Sequence, residues 1–157
     1  MRPLELVIKN FLAYREVVRI SFEGIHVACL TGANGAGKSS LLDAITWAVW
    51  GKARASDKDQ LLHSGQKEMS VTLTFEQDGR VYQVQRIYLK SGKTGKTEAF
   101  LRVREPDSAQ WLPISEHANL REVDQEIAKR VGLDYETFVT SAFLQQGKAD
   151  AFTAQTA

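Results

Sequence analysis

A glycine-rich segment constrains this chain more than any other feature of the sequence. Residues 32–39 read Gly-Ala-Asn-Gly-Ala-Gly-Lys-Ser, a complete G-x-x-x-x-G-K-S pattern. An apolar run precedes the segment at 25–31, and apolar residues at helical spacing follow it at 38–50. A glycine-rich turn with an accidental lysine would not be expected to show this strand–loop–helix order. The segment therefore predicts a phosphate-binding loop, or P-loop, between a buried strand and a helix.

The residue types of this loop explain how it would hold phosphate. Glycines at 32, 35 and 37 allow positive φ, so that consecutive backbone N–H groups can point at phosphate oxygens. A helix that begins near Lys38 adds its dipole and its unpaired N–H groups. Lys38 is expected at the β- and γ-phosphates of ATP, and Ser39 offers a hydroxyl to Mg²⁺. The residues expected to contact the nucleotide are Asn34, Gly35, Ala36, Gly37, Lys38, Ser39 and Ser40.

The hydropathy pattern around the loop indicates an α/β fold. Period-two alternation predicts further strands at 4–8, 18–22, 69–75, 81–89 and 99–103. Helical spacing predicts helices at 38–50, 119–131 and 134–145. The last three strands, joined by turns at 78–79 and 91–96, predict an antiparallel β subdomain at about 68–104 rather than βαβ units. Trp47 and Trp50 on the first helix are expected in the core.

The amino-acid composition excludes few classes of protein or partner. The chain has 157 residues, long enough for one compact domain, with 43% hydrophobic and 25% charged residues. A net charge of +1 neither favours nor excludes nucleic acid, because binding depends on where the charges lie. The single cysteine, Cys29, is expected to be a small buried hydrophobic residue in the run at 25–30. No apolar stretch is long enough to cross a membrane, so we expect a cytoplasmic protein.

An acidic residue to support the metal is harder to find. Hydrolysis by a P-loop ATPase needs an apolar strand that ends in an acidic residue, and a group that activates water. Glu76 follows a half-exposed strand, Glu105 precedes a proline in a turn, and Asp134 follows a helix-ending glycine. We therefore expect the acid to come from another chain or from sequence outside these residues. The complete protein would be an ATP hydrolase, and this fragment alone is expected to be inactive.

Several motifs together resemble the N-terminal ATPase lobe of the SbcC family, the bacterial SMC-like ABC ATPases of DNA double-strand-break repair. The matching segments are L-x-L-x-I-K-N-F at 4–11, F-E-G-I at 22–25, G-A-N-G-A-G-K-S-S-L-L-D-A-I at 32–45, W-G at 50–51 and F-L-Q-Q-G at 143–147. A P-loop alone would fit many unrelated proteins. An N-terminal P-loop followed much later by F-L-x-Q-G is a narrower combination.

The resemblance implies how the chain is organised. Residues 1–157 would form the N-terminal lobe of a split ABC-type head, with helices and a Q-loop at about 118–150. The family's coiled coil and C-terminal lobe, which carries the signature motif, the Walker B acid and the switch histidine, are absent from this sequence. The implied partners are that C-terminal lobe, a second head in an ATP-dependent homodimer, an SbcD-type nuclease and double-stranded DNA. The implied location is the nucleoid, and no membrane is involved.

The resemblance also assigns residues outside the loop. Gln146 matches the Q-loop glutamine, whose amide would coordinate Mg²⁺, although spacing alone would also fit an ordinary helix-terminal glutamine. Lys38 and Gln146 would both assist catalysis, and no residue of this lobe is a certain catalytic residue. A family segment that approaches the nucleotide aligns with Leu62, His63 and Ser64. A histidine in a loop is more commonly a solvated surface residue, and this alternative remains open for His63. Many relatives place an arginine where this chain has Leu12. Either that contact is lost or Arg15 replaces it.

A basic hairpin is the candidate DNA site. Residues 89–98 carry Lys90, Lys93 and Lys96, with Arg86 before them and two further arginines, Arg102 and Arg104, after them. Phosphate contacts need long cationic side chains on an adaptable backbone, and glycines at 92 and 95 predict a mobile tip. A solvated hairpin whose lysines only maintain solubility fits the composition equally well.

Two other functions remain open from the sequence. The nucleotide-binding subunit of an ABC transporter would place an aromatic residue, for which Tyr14 is available, against adenine. A small P-loop kinase would need its own acidic metal residue and an arginine-rich lid, and neither is recognisable.

Overall fold

One antiparallel sheet organises the part of the chain that the structure describes. The computed structural model describes residues 1–25, 27, 29–105, 109–114 and 119–142. Their strands are β1 (Arg2–Lys9), β2 (Val18–Ser21), β3 (Glu68–Gln77), β4 (Arg80–Ser91), β5 (Thr94–Arg104) and β6 (Trp111–Pro113). Their order in the sheet is β2-β1-β3-β4-β5-β6, and every neighbouring pair is antiparallel. The helices are α1 (Lys38–Trp50), α2 (Leu120–Val131) and α3 (Tyr135–Ala142), with a 3-10 turn at Lys58–Gln60.

The core lies between one face of this sheet and the helices. Alternate residues of the three central strands, such as Leu73, Val84 and Leu101, are fully or almost fully buried. Helices α1 and α2 pack on that face and contribute Trp47 and Ile127, which have no exposed surface. Since side chains alternate across a strand, the intervening residues form an open face on the other side. The predicted α/β class is confirmed as a two-layer arrangement.

The helix ends follow capping rules that the sequence displays. Helix α1 has the predicted bounds and ends at Gly51, whose φ of 65° is left-handed and whose N–H bonds to Trp47 O. Helix α2 begins at Asn119, which exchanges capping-box hydrogen bonds with Glu122, and ends at Gly132 with φ of 70°. Both helices are therefore confirmed. Helix α3 begins near the predicted residue, but the predicted end at 145 lies outside the described residues.

The predicted meander is present, although it is not a separate unit. Strands β3, β4 and β5 pair in sequence order, and β1 joins the same sheet beside β3. The turn between β4 and β5 is tighter than predicted, because Ser91 already pairs with Thr94. Only Gly92 and Lys93 connect the strands, and Gly92 has φ of 60°, as primed hairpin turns need. Strand β6 was not predicted, since three residues cannot show alternation.

The central strand predicted at 25–31 is wrong for this structure. Among the described residues of that run, 25, 27 and 29–31, none lies in a strand. Val27 is 91% exposed, Ile25 and Leu30 are about half exposed, and Cys29 is exposed rather than buried. A strand needs backbone partners, and the six described strands pair only with one another. The run is apolar enough for a buried strand, but within the described chain nothing covers it.

Candidate functional site

The P-loop curls in the way its glycines allow. Gly32, Gly35 and Gly37 have φ of 148°, 84° and 89°, all in the region that side chains rarely adopt. Gly37 is the residue that precedes α1, so the loop leads directly into the free N–H groups of the first helical turn. Lys38 Nζ donates to the carbonyl oxygens of Gly32 at 2.6 Å and Ala33 at 2.7 Å. The Lys38 side chain thus folds back over the P-loop, and its ammonium group is bonded to the first two residues of that loop.

An open cleft of about 360 Å³ lies at this loop. Its lining residues are Asn34, Gly35, Gly37, Lys38, Ser39, Ser40 and Arg54. Six of the seven loop residues singled out from the sequence are therefore brought together, whereas Ala36 is not part of the lining. Backbone N–H groups, one ammonium group, two hydroxyls and one guanidinium surround the cleft. This donor set suits an anion with several oxygens.

Tyr14 supports the loop from behind. Its hydroxyl donates to Gly37 O at 3.1 Å, and a Cβ added at Gly37 would lie 3.3 Å from the Tyr14 ring and from Ala13. Gly37 is thus required both by its φ and by this close approach. Burial raises the pKa of Tyr14, so its hydroxyl stays protonated and remains a donor. A ring used in this way is not presented to adenine, which removes the support that Tyr14 gave to the transporter alternative.

The segment at 61–63 reaches the site only indirectly. Leu12 N donates to Leu61 O at 2.7 Å, and His63 N donates to Asn10 O at 2.9 Å. His63 Nδ1 lies 2.7 Å from Leu12 O, so that nitrogen carries a proton and donates it to the carbonyl. The segment therefore packs on residues 10–14, which contact the P-loop through Tyr14. Leu62, His63 and Ser64 are not among the residues that line the cleft.

Arg54 is the lining residue that sequence reasoning missed. Its Nε lies 3.1 and 3.0 Å from the two carboxylate oxygens of Asp43, and its Nη2 lies 2.7 Å from Oδ2. Its backbone N–H also donates to Asp43 Oδ1 at 3.2 Å. Hydrogen bonding to Asp43 raises the pKa of Arg54. The signal in the sequence was an aspartate one helical turn after the P-loop serines, with an arginine just beyond the helix-ending glycine.

The basic hairpin is less uniformly basic than its sequence predicted. Lys90 Nζ pairs with Asp59 Oδ2 at 2.7 Å, and Lys96 Nζ pairs with Glu98 Oε1 at 2.7 Å. Lys93 lies in the two-residue turn and is exposed. Arg86 does not belong to the candidate DNA surface, because it is 1% exposed and ion-paired with Asp124. Arg102 lies on the open face, with its guanidinium carbon 5.6 Å from the centre of the Phe100 ring.

Gly95 belongs to a packed contact and not to a mobile tip. It pairs with Lys90 within the ladder, and a Cβ there would lie 1.9 Å from the Tyr88 hydroxyl. That hydroxyl donates to Asp59 Oδ1 at 2.6 Å, which raises the pKa of Tyr88 to about 12. Hydrogen bonds from Lys90 and then Tyr88 lower the pKa of Asp59. The hairpin is therefore fastened to the 3-10 turn at Lys58–Gln60.

One predicted site residue, Gln146, falls outside the described part of the chain. Among the described residues, no group of three or more His, Cys, Asp and Glu side chains could hold a metal ion. None of the described helices combines the length and the apolar character needed to span a bilayer.

Comparison with known proteins agrees with this architecture. A solved chain from work on "ATP-driven dimerization and DNA stimulated activation of SMC ATPases" superposes with a TM-score of 0.62 at 19% identity, over 99% of this chain and 98% of that chain. The "SMC head domain from Thermotoga maritima" superposes with a TM-score of 0.52 at 25% identity, over 80% and 42%. The fold is thus that of SMC-type ATPase heads.

The family follows from the sequence matches. The chain belongs to the AAA domain family, whose model matches residues 5–157. It is 36% identical over 151 residues to the SbcC subunit of the nuclease SbcCD of Deinococcus radiodurans, and 36% identical over 157 residues to the "Probable DNA double-strand break repair Rad50 ATPase" of Aquifex aeolicus. These alignments cover 94% and 97% of this chain but only 16% and 15% of the relatives. The resemblance to an N-terminal SbcC-type fragment is confirmed.

Proposed function

We propose that this chain is the ATP-binding part of an ATPase that acts in DNA double-strand-break repair. The observation that carries the proposal is the cleft at the P-loop, where the N-terminus of α1, Lys38 and the hydroxyls of Ser39 and Ser40 converge. Relatives named for SbcCD and for Rad50 match almost the whole chain, which supports repair over transport. The contact of Tyr14 with Gly37 further weakens the transporter alternative.

Magnesium fits this cleft as a metal held chiefly by the nucleotide. Mg²⁺ usually takes one or two protein oxygens together with phosphate oxygens and water. The Ser39 hydroxyl lines the cleft and is the candidate protein ligand, and Gln146 is the second candidate from the sequence. When bound, Mg²⁺ would offset phosphate charge. Lys38 and the loop N–H groups orient the phosphates, and the carboxylate that hydrolysis needs would come from elsewhere.

The proposed partners follow from surfaces that the described chain leaves open. A C-terminal lobe of the same protein would cover the exposed apolar residues Ile25, Val27 and Leu30, since a parallel or mixed sheet buries such a run on both faces. A second head would face the P-loop cleft, and an SbcD-type nuclease and double-stranded DNA complete the assembly. The DNA would contact the hairpin through Lys93 and, after exchange of their ion pairs, Lys90 and Lys96. The cytoplasmic nucleoid is the corresponding location.

The direct test is nucleotide binding by a Lys38→Ala variant. Removing the ammonium group should weaken MgATP binding by roughly 1.5–3 kcal/mol, the range for a hydrogen bond to a charged group. Folding should persist, because Lys38 lines the cleft, is not a member of the buried core cluster, and bonds through its ammonium group to loop carbonyls. Lys9→Ala is the matched control, since Lys9 is an exposed residue in β1 outside the cleft. Calorimetry that finds equal MgATP affinity in both variants would remove Lys38 from the site.

A further inference from the structure

The turn at residues 10–14 has an unusual backbone. Asn10 and Leu12 have φ of 53° and 48°, in the left-handed region that residues other than glycine rarely adopt. Asparagine tolerates this region, because its short polar side chain can bond locally, whereas leucine has no such compensation. A strained residue of this kind persists only where surrounding contacts fix its backbone, and such residues cluster at functional sites. The contacts of this turn therefore indicate its role.

The segment at 61–63 fixes both strained residues. The Leu12 N–H donates to Leu61 O at 2.7 Å, and the Leu12 carbonyl accepts from His63 Nδ1 at 2.7 Å. The His63 N–H donates to Asn10 O at 2.9 Å. Each strained residue thus has a backbone group that is bonded outside the turn. The turn cannot relax to an ordinary conformation without losing these bonds.

Two aromatic residues join this turn to α1. The Phe11 ring is fully buried, and its centroid lies 5.5 Å from that of Trp47. Phe11 and Tyr14 exchange backbone hydrogen bonds of 2.8 and 2.9 Å, so the position of one fixes that of the other. The Tyr14 hydroxyl bonds to Gly37 O, which also accepts the Leu41 N–H at 3.0 Å. The turn therefore contacts the P-loop at its junction with the helix.

The P-loop itself has few contacts that would hold its curl. Residues 32–36 are exposed, and within this described segment one backbone hydrogen bond, from Ala36 N to Ala33 O at 3.2 Å, joins them. Glycines give the loop many other conformations, and only a curled one directs its N–H groups at phosphate. The fraction of protein with a binding-competent loop should therefore depend on each contact from outside the loop.

We propose that Tyr14 is a positioning residue of the nucleotide site, which holds the P-loop in its phosphate-binding conformation before a ligand binds. Tyr14 is not among the residues that line the cleft, so it acts through Gly37 and not on the nucleotide. The apparent affinity of a ligand falls in proportion to the fraction of protein in the competent conformation. Tyr14 should thus raise the affinity for every ligand that uses the loop. This role rests on the proposed nucleotide binding and adds a residue to it.

The test compares ligands that share phosphate groups and differ in the nucleoside. The affinities of MgATP, MgADP and magnesium pyrophosphate would be measured by calorimetry in the protein that contains this chain, for wild type and Tyr14→Phe. Phenylalanine keeps the ring against Gly37 and loses only the hydroxyl.

Two control variants separate positioning from other effects of the substitution. Tyr82→Phe is the matched change, since Tyr82 is buried, stacks on Phe75 and lies outside the cleft lining. Val123→Ala removes buried methyl groups from α2, so it lowers the stability of the fold without altering the cleft. Chemical denaturation of all the variants records their stability beside their affinities.

We expect Tyr14→Phe to weaken the binding of all three ligands by the same factor, about two- to tenfold, which corresponds to the loss of one neutral hydrogen bond. Both controls should bind them as the wild type does, although Val123→Ala is less stable. Unchanged affinities in Tyr14→Phe would overturn the inference, and so would an equal loss of affinity in Val123→Ala.

Two further results are distinguishable from these. If Tyr14→Phe weakened MgATP and MgADP but not pyrophosphate, the ring would contact the nucleoside, and the positioning role would be wrong. A wild-type protein that bound none of the three ligands would instead overturn the proposed function itself.

Discussion

Tyr88 joins two segments that are far apart in the sequence. Its hydroxyl donates to Asp59 in the 3-10 turn, and Asp59 also receives Lys90 from the hairpin. The Tyr88 ring lies over Gly95, where no side chain would fit. One aromatic side chain thus fixes the hairpin relative to the segment that continues to residues 61–63. The contact shifts the pKa values of both side chains, because the hydrogen bond raises the pKa of Tyr88 and, together with Lys90, lowers the pKa of Asp59.

A pH titration should detect this contact. The folded-state pKa of Tyr88 is about 12, above the value near 10 of an unfolded chain. The protonated hydroxyl therefore contributes stability that is fully present below about pH 10 and is lost as the pH rises toward 12. Asp59→Asn removes the charged acceptor, so Tyr88 should then ionise closer to pH 10. The measurement is phenolate absorbance against pH, with Tyr88→Phe identifying the signal.

Gly95→Ala supplies the matching steric change. The added methyl group would displace the Tyr88 ring from Asp59, and the raised pKa should again fall. Ionisation of Tyr88 at its original pH in both variants would show that the hydrogen bond does not hold the ring.

At the scale of elements, Arg86 joins β4 to both large helices. Its Nε donates to Ala48 O at 3.2 Å, and its Nη2 lies 3.4 Å from Val49 O and 2.7 Å from Asp124 Oδ1. The carbonyls belong to the last turn of α1, where a cation is favoured by the helix dipole and by unpaired acceptors. A buried arginine in the middle of a strand thus joins the sheet, α1 and α2.

Arg86→Met should therefore destabilise the fold. The apolar chain would fill the same space, but the α1 carbonyls would lose their donor, at a cost of about 1–3 kcal/mol. Asp124 is 38% exposed, so water can solvate the carboxylate that is left behind. Arg19→Met breaks an exposed pair and should cost about 0–1 kcal/mol. Chemical denaturation compares the two variants, and equal losses would contradict a bridging role for Arg86.

Some of these elements could be predicted from the sequence because they depend on local rules. Helix α2 has its capping residue, its apolar spacing and its ending glycine within the segment itself, and α1 follows from the P-loop. The structure of the run at 25–31 could not be predicted in this way, because a strand depends on partner strands that its own residues do not specify. For the same reason, Arg86 was wrongly grouped with the candidate DNA-binding residues, and Arg54 was not recognised as a residue that lines the cleft. Whether a charged side chain is buried, paired or free depends on residues that are distant in the sequence.

The hairpin gives a prediction for DNA binding at this scale. Lys93 lies exposed in the turn, whereas Lys90 must first release Asp59 to reach a phosphate. Lys93→Ala should weaken duplex binding for all sequences alike and lower the log–log salt slope by about 0.9 per contact. Arg80→Ala removes an exposed charge at the opposite end of β4 and is the control. A slope that Lys93→Ala leaves unchanged, in the ATP-bound protein, would place the DNA elsewhere.

At the scale of the whole molecule, the described residues form a cleft that suits the proposed nucleotide, but they do not line it with a group that could activate water. No carboxylate is among the residues that line the cleft, and the nearby Asp43 is held by Arg54. Water activation and metal support by an acid are both needed for hydrolysis. The exposed apolar residues at 25, 27 and 30 lie just before the P-loop. One C-terminal lobe could therefore supply the missing acid and cover the apolar run in the same event.

The chain alone should accordingly bind MgATP and release phosphate no faster than buffer does, whereas addition of the C-terminal lobe should start turnover. Cys29, the single cysteine, reports the same event, because its thiol lies exposed between Val27 and Leu30. Alkylation of Cys29 should be rapid in the chain alone and slow once the lobe is bound, since burial excludes the reagent. Turnover without protection of Cys29 would show that the lobe docks elsewhere, and equal phosphate release with and without the lobe would refute a divided site.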